Sequence, residues 1–349
     1  MQMTKGKRAR LVLSSLRATF FDINGIVLIF AIAGLFAAFS VLSPNFLTRT
    51  NIRVLIETMS ILVLLALGEH FLLIAGEIDI SFAATLELAA VVAALSSGMN
   101  IFVIVAFAVL SALAVGMVNG FLTTRVKIPS FLVTLATMVG VQGVVFLISN
   151  YRSVLLRNEV VRQVFYGRWF FGVSAAVVWM ILGVVASSFI LRSTRFGRWI
   201  FATGGNENAA RLMGIPTTRV KFVLFLLMSL MAAAAGLIAT GRSLAARPKM
   251  GENYLMPVIA APILAGALLT GGRGSVARTV MGCLVLTVII NGVNLLGLQP
   301  AYQNIFMGTI LIGTLSVRSL REGGARGVFS RLVKTAPAAG SGTPAEKEP

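Results

Sequence analysis

From Leu88 to Thr124 the chain runs without a single charged residue. That is almost twice what one α-helix needs to cross a hydrocarbon core of about 30 Å at about 1.5 Å per residue. A run this long cannot be the core strand or helix of an ordinary soluble domain. The turn-forming cluster Ser96-Ser97-Gly98-Met99-Asn100 divides it, so it reads as a hairpin of two membrane helices, the first starting near Ile80. Composition agrees. Of 349 residues 57% are hydrophobic and 12% charged, where a soluble domain carries about 25% charge. The chain reads as a polytopic, all-α integral membrane protein.

Other apolar runs give the remaining crossings: Ile23–Thr48, Thr58–Ile78, Ile128–Tyr151, Trp169–Leu191, Phe222–Gly241, Asn253–Gly272, and Thr279–Val317 divided at Gly297-Leu298-Gln299-Pro300. The expected total is about ten helices, some of them broken or re-entrant. Placing the N-terminus inside puts most of the 30 Lys and Arg on the inner side, which predicts both termini in the cytoplasm. The expected organisation is a basic cytoplasmic tail at 1–22, a transmembrane domain at 23–319 with an inner loop at 192–221, and a cytoplasmic tail at 320–349. Ala336–Pro349, rich in Ala, Pro, Gly and Glu, is expected to be disordered. The basic start is followed by no small-residue cleavage site, so the first apolar run reads as a retained helix.

Several chemistries are excluded. The net charge of +18 would point to nucleic acid in a soluble protein, but here the basic residues flank apolar spans. One cysteine, Cys283, and one histidine, His70, rule out disulfide frameworks and multi-ligand metal sites built from these residues. No GxxxxGK[ST] loop is present, so the chain does not hydrolyse nucleotide by itself. No Ser/His/Asp set points to a hydrolase.

The most informative inner segment is Arg195-Phe196-Gly197 through Gly214-Ile215-Pro216. Asn206-Glu207-Asn208 can cap and charge a helix N-terminus, and Ala209-Ala210-Arg211-Leu212-Met213 makes about one and a half turns before Gly214 stops it. Such a small-faced helix is either a docking knob for a cytoplasmic partner or a plain connector. Five of the twelve acids, Glu57, Glu69, Glu77, Asp79 and Glu87, fall within residues 57–87. Ionisable groups within a membrane are costly and are functional by default. Asp79 or Ser81 can cap a broken helix facing a pathway; alternatively Glu77 and Asp79 sit solvated at the inner interface. Glu69 and His70 fit burial against a partner helix as well as pathway lining. Asn119-Gly120 and Asn291-Gly292 form a faint echo that fits either two related halves or coincidence. The small residues Ala232–Gly236 read as helix-packing surface.

The inner segment resembles the cytoplasmic coupling loop of bacterial ABC importer permeases of the ribose/xylose/galactose type. Glu207–Gly214 is similar to their Glu-Ala-Ala…Gly motif, with Asn208 at the first Ala. Further elements are similar in the same order: Gly76-Glu77-Ile78-Asp79-Ile80-Ser81, Ile128-Pro129-Ser130-Phe131 through Met138, Gly271-Gly272-Arg273-Gly274-Ser275, and Asn291-Gly292-Val293-Asn294-Leu295-Leu296-Gly297. Phe82-Ala83-Ala84 departs from the Val-Gly-Ser of that family, and Glu69, His70 and Glu87 stand where many relatives carry neutral residues. The resemblance implies a non-catalytic permease in the bacterial inner membrane that translocates a pentose- or hexose-like sugar. Implied partners are a second permease chain (homo- or heterodimer), cytoplasmic ATPase subunits that hold the ATP and Mg, and a periplasmic sugar-binding protein. No cofactor, metal or nucleic acid is expected on this chain. It also implies a coupling loop built on Arg195, Gly197, Asn206, Glu207, Ala209, Ala210 and Gly214. The candidate pathway residues are Glu69, Glu77, Asp79, Ser81, Asn119, Asn291 and Asn294. The contrasting reading is an ion- or proton-coupled secondary transporter that uses the Glu57–Glu87 acids. A non-transporting scaffold fits the intramembrane acids poorly.

Overall fold

Most of the apolar runs fold as helix, because a backbone away from water satisfies its N–H and C=O groups within its own segment. The computed structural model describes residues 23–169, 172–299, 301–314 and 316. The tails expected at 1–22 and 320–349, together with Pro300, lie outside the described residues. Seven helices among those described are long and apolar enough to cross a membrane. They are Ile23–Leu42, Arg49–Ile74, Ile101–Phe121, Ser130–Ser149, Ala175–Ser193, Thr217–Ser243 and Val276–Leu295. Three further apolar segments are shorter: Phe82–Leu95, Leu255–Leu264 and 301–314. Among the described residues seven helices therefore reach membrane length, against about ten crossings expected.

The largest departure is at Asn253–Gly272, expected as one crossing. Its helix ends at Leu264, with Pro262 inside it and Gly266, Gly271 and Gly272 in the left-handed region beyond. Proline removes a helical hydrogen bond, and a run of left-handed glycines cannot continue the spiral. The second crossing starts earlier than its apolar run, at Arg49, because Thr48 caps it by accepting from Asn51 N at 3.3 Å.

Among the membrane-length helices Arg49–Ile74, Thr217–Ser243 and Val276–Leu295 are mostly buried, as is the shorter Phe82–Leu95, whereas Ile23–Leu42 and Ser130–Ser149 are mostly exposed. Thr217–Ser243 is the axis, packing against Arg49–Ile74, Phe82–Leu95 and Ile101–Phe121. Ala232, Ala233 and Ala235 are fully buried on it, as a small-residue packing face requires. At Gly236 a Cβ would lie 2.6 Å from the carbonyl oxygen of Leu86, so only glycine allows that crossing. The sheet is one antiparallel pair, Val154–Leu155 with Ala245–Ala246, Val154 opposite Ala246. The described residues of a second unit, which begins at Gly308, are helical over 308–314.

Candidate functional site

The inner-loop segment folds as two helices in series. Arg195–Gly205 is capped by Thr194, which accepts from Gly197 N at 3.0 Å. Gly197 is buried because a Cβ there would meet the Ile190 carbonyl oxygen at 2.3 Å; Arg195 is exposed. Asn206 then caps Glu207–Leu212, its Oδ1 accepting from Ala209 N at 3.0 Å. Gly214, at φ +78, ends that helix: its N–H donates to Arg211 O, and Ile215 N–H donates to Ala210 O. This pair of bonds with a left-handed glycine is a Schellman stop. The structure divides the two alanines. Ala209 is exposed, whereas Ala210 is 5% exposed and packs into this chain. The outward face instead carries Leu212 and Met213, 89% and 82% exposed. Residues one step apart on a helix point about 100° apart, which lets one alanine face inward and the other outward.

Glu207 is the centre of an ion network. Its carboxylate pairs with Arg211 and accepts from Lys221 Nζ at 2.7 Å. The Lys221 ammonium also pairs with Glu77 Oε1 at 2.6 Å. Thr217 Oγ1 donates to Glu207 Oε1 at 3.2 Å and accepts from Arg211 Nε at 2.9 Å. Partial burial alone would raise the Glu207 pKa, but the Lys221 and then the Arg211 hydrogen bonds and charges outweigh it and hold the carboxyl below its usual value. A polar cavity of about 230 Å³ opens beside this network, lined by Glu77, Thr123, Lys127, Ser130, Glu207 and Lys221. Part of its wall is a π-helical turn, Leu122–Val126, followed by Lys127 at φ +63.

Two residues beyond Glu77, the chain turns inward. Ile78 N–H donates to Ser130 Oγ and Asp79 N–H donates to Glu69 Oε2, each at 3.3 Å. Asp79 Oδ1 accepts from Ser81 N at 2.7 Å and from Ser81 Oγ at 2.6 Å, so Asp79 holds the turn that enters helix Phe82–Leu95, whose N-cap residue is Ser81. Ser81 Oγ in turn accepts from Asn119 Nδ2 at 2.7 Å. Glu69, Asp79, Ser81 and Asn119 are all at most 1% exposed. Next to Glu69, His70 Nδ1 lies 3.1 Å from Thr279 Oγ1 on helix Val276–Leu295. Glu69 Oε1, His70 Nε2 and Asn119 Oδ1 have no hydrogen-bond partner among the described residues. Each such buried atom costs about 1–3 kcal/mol.

The expected pathway residues thus separate. Glu69, Asp79, Ser81 and Asn119 form one hydrogen-bonded cluster, and Glu77 joins it to the Glu207 network. Asn291 lies apart: it exchanges amide hydrogen bonds with Asn51 at 2.8 and 3.0 Å, tying Val276–Leu295 to Arg49–Ile74. Asn294 is exposed and accepts from Gln303 at 2.7 Å. The glycine elements meet as well. Gly272 N–H donates to Ile74 O at 2.8 Å, and a Cβ on Gly204 would lie 1.7 Å from that same oxygen. Three backbones, at Ile74–Gly76, Gly204–Gly205 and Gly271–Gly272, therefore touch without side chains between them. Lys221 was missed as a site residue, although a lysine entering an apolar helix has to find an anionic partner or water.

This is the architecture of a membrane transport component: apolar helices around buried polar turns, with a capped helix pair at one end. The chain belongs to the family described as branched-chain amino acid transport system / permease component, which matches residues 51–315. It is 36% identical over 276 residues to the ribose import permease protein RbsC of Bacillus subtilis, covering 78% of this chain and 86% of that one. It is 33% identical over 296 residues to the L-arabinose transport system permease protein AraH of Escherichia coli, covering 84% and 89%. The Escherichia coli ribose import permease protein RbsC is 34% identical over 301 residues, covering 84% and 92%. No solved structure matches.

Proposed function

We propose that this chain is the translocating permease of an ATP-driven importer for a pentose-like sugar. A periplasmic binding protein delivers the sugar and separate cytoplasmic subunits hydrolyse ATP. The relatives named for ribose and L-arabinose favour a sugar over the amino acid of the family description. The chain works beside a second permease chain in the inner membrane, with both termini, the tails 1–22 and 320–349, and loop 192–221 in the cytoplasm, around the permease domain 23–319.

One observation carries the coupling: Lys221 bridges Glu207 on the capped helix and Glu77 on the loop that leads to Asp79. A displacement of helix Glu207–Leu212 by an ATPase subunit then reaches the buried turn through two charge pairs and the Ile74/Gly204/Gly272 backbone contact. Leu212 and Met213, 89% and 82% exposed beside the capped helix, fit an apolar groove on that subunit. The pathway passes the Asp79 turn, where the unpartnered polar atoms sit.

The test is uptake into proteoliposomes containing the permease with its ATPase and binding protein, supplied with labelled D-ribose and L-arabinose. ATP-dependent uptake is expected. Leu212→Glu combined with Met213→Glu should abolish it and release the ATPase, by forcing unpaired charge into the groove. Uptake driven by an ion gradient without ATP would overturn the reading and favour the acid-cluster transporter.

A further inference from the structure

Residues 247–254 take a course that no periodicity announces. At one end Ala245–Ala246 pairs with Val154–Leu155, and Ala246 packs among Val91, Ala94 and Val115. By Gly251 the backbone has run back along helix Phe82–Leu95 to its first turns. Gly251 N–H donates to Glu87 Oε1 at 3.0 Å, and a Cβ on Gly251 would lie 2.3 Å from Ala83 O. Helix resumes at Leu255 after a 3₁₀ turn, Glu252–Tyr254. This irregular stretch, with Lys249 at φ +66, therefore lies alongside helix Phe82–Leu95 rather than beyond its ends.

Its polar side chains turn away from the packing. Lys249 and Glu252 form an ion pair at 3.4 Å with side chains 59% and 41% exposed. Asn253 is exposed beside them. Gln142, more than half-way along helix Ser130–Ser149, donates from Nε2 to Glu252 Oε1 at 3.0 Å. Next to Gln142, Val141 packs on the same apolar cluster as Met250, which fixes the two segments at one level. Beneath them Glu87 is fully buried, one oxygen on Gly251 N–H and the other without a partner among the described residues. Irregular backbone and ionised side chains at membrane depth persist only inside protein or along a water-filled cavity. The charges of Lys249 and Glu252 cancel, which leaves a dense set of donors and acceptors with no net charge. Such a surface suits a neutral, polyhydroxylated solute and gives no preference to an ion.

We infer that Gln142, Lys249, Glu252 and Asn253 form a sugar-hydroxyl-binding station on the translocation pathway, with Glu87 as the positioning residue that holds its turn. The inference rests on the importer reading, deepens it, and places a substrate contact away from the Asp79 cluster.

The test uses the assembled importer in proteoliposomes and single cysteines in place of Gln142, Glu252 or Asn253. Cys283 is buried and gives little background. A charged methanethiosulfonate reagent should modify these three on the order of tenfold faster than a cysteine at Val185, an exposed apolar position on helix Ala175–Ser193, because reaction needs a hydrated thiolate. Modification should block uptake of D-ribose or L-arabinose, and the transported sugar should slow modification. Glu87→Ala should raise KM for the transported sugar about tenfold, as loss of one or two hydrogen bonds implies, and Glu87→Gln should restore it by keeping the acceptor. No ATP-dependent uptake by the unmodified importer would sink the importer reading itself. With uptake present, cysteines as slow as the one at Val185 would overturn the station and place the segment against lipid or a second chain. Fast modification with unchanged uptake and no protection by sugar would overturn it as well.

Discussion

Glu207–Leu212 begins on a side-chain cap and Phe82–Leu95 on a turn held by a side chain, and their surroundings differ completely. Glu207–Leu212 starts at Asn206, an exposed residue whose amide oxygen accepts from the backbone three residues on. Phe82–Leu95 starts at a turn held by Asp79, whose carboxylate binds Ser81 and whose N–H reaches Glu69. The first cap competes with water and is local. The second is buried and joins a loop to residues on two helices. The difference teaches that an exposed cap sets where a helix begins, whereas a buried turn also fixes how neighbouring helices stand.

That contrast is broken first at Asp79. Asp79→Ala leaves Ser81 N–H and Oγ without their acceptor and should reduce sugar uptake on the order of a hundredfold, equivalent to about 2–3 kcal/mol. Asp79→Asn, which keeps one acceptor oxygen, should recover part of it. Permease recovered from the membrane fraction at normal levels, with uptake unchanged, would reduce the turn to packing.

The next effect lies on the bridge between the two regions. Lys221→Met leaves Glu77 and Glu207 with no cation between them, and uptake should fall about tenfold. In that background Glu77→Gln should cost less than it does alone, because the charges act as a unit; additive effects in the double-mutant cycle would separate the two regions.

A smaller effect is expected at the exposed cap. Asn206→Ala should cost about 1 kcal/mol of local helix stability and weaken ATPase co-purification only several-fold. A loss as large as that at Asp79 would erase the contrast.

The smallest effect concerns pH. A carboxyl held below its usual value, as Glu207 is, contributes above the unfolded pKa and loses that contribution as pH falls through the lower folded pKa. ATPase co-purification should therefore be unchanged between about pH 7 and pH 5.5, both above the ordinary Glu value of about 4.3. Release of the ATPase within that window would mean that Glu207 does not hold the network.

How much of this was legible follows the same division. Long charge-free runs sufficed for membrane helices, because a backbone without water has one local way to satisfy itself. Asn206, Gly214 and the turn at Ser96–Asn100 could be read for a related reason: caps and stops depend on residues a few positions apart. Asp79 was a candidate cap for the same cause. The partners that make it a cluster, Asn119 and Glu69, were candidates individually, but nothing in their spacing joined them. Tertiary structure alone decided that Asn291 binds Asn51 away from that cluster and that Ala210 faces inward while Leu212 and Met213 face out. It also decided that Asn253–Gly272 is a short helix with irregular flanks, and that Lys221 and Gln142 meet acids far along the chain. Those outcomes depend on which helix faces meet, and the faces here are apolar nearly all round. Periodicity therefore points them nowhere, and small-residue contacts such as Gly236 on Leu86 settle the packing.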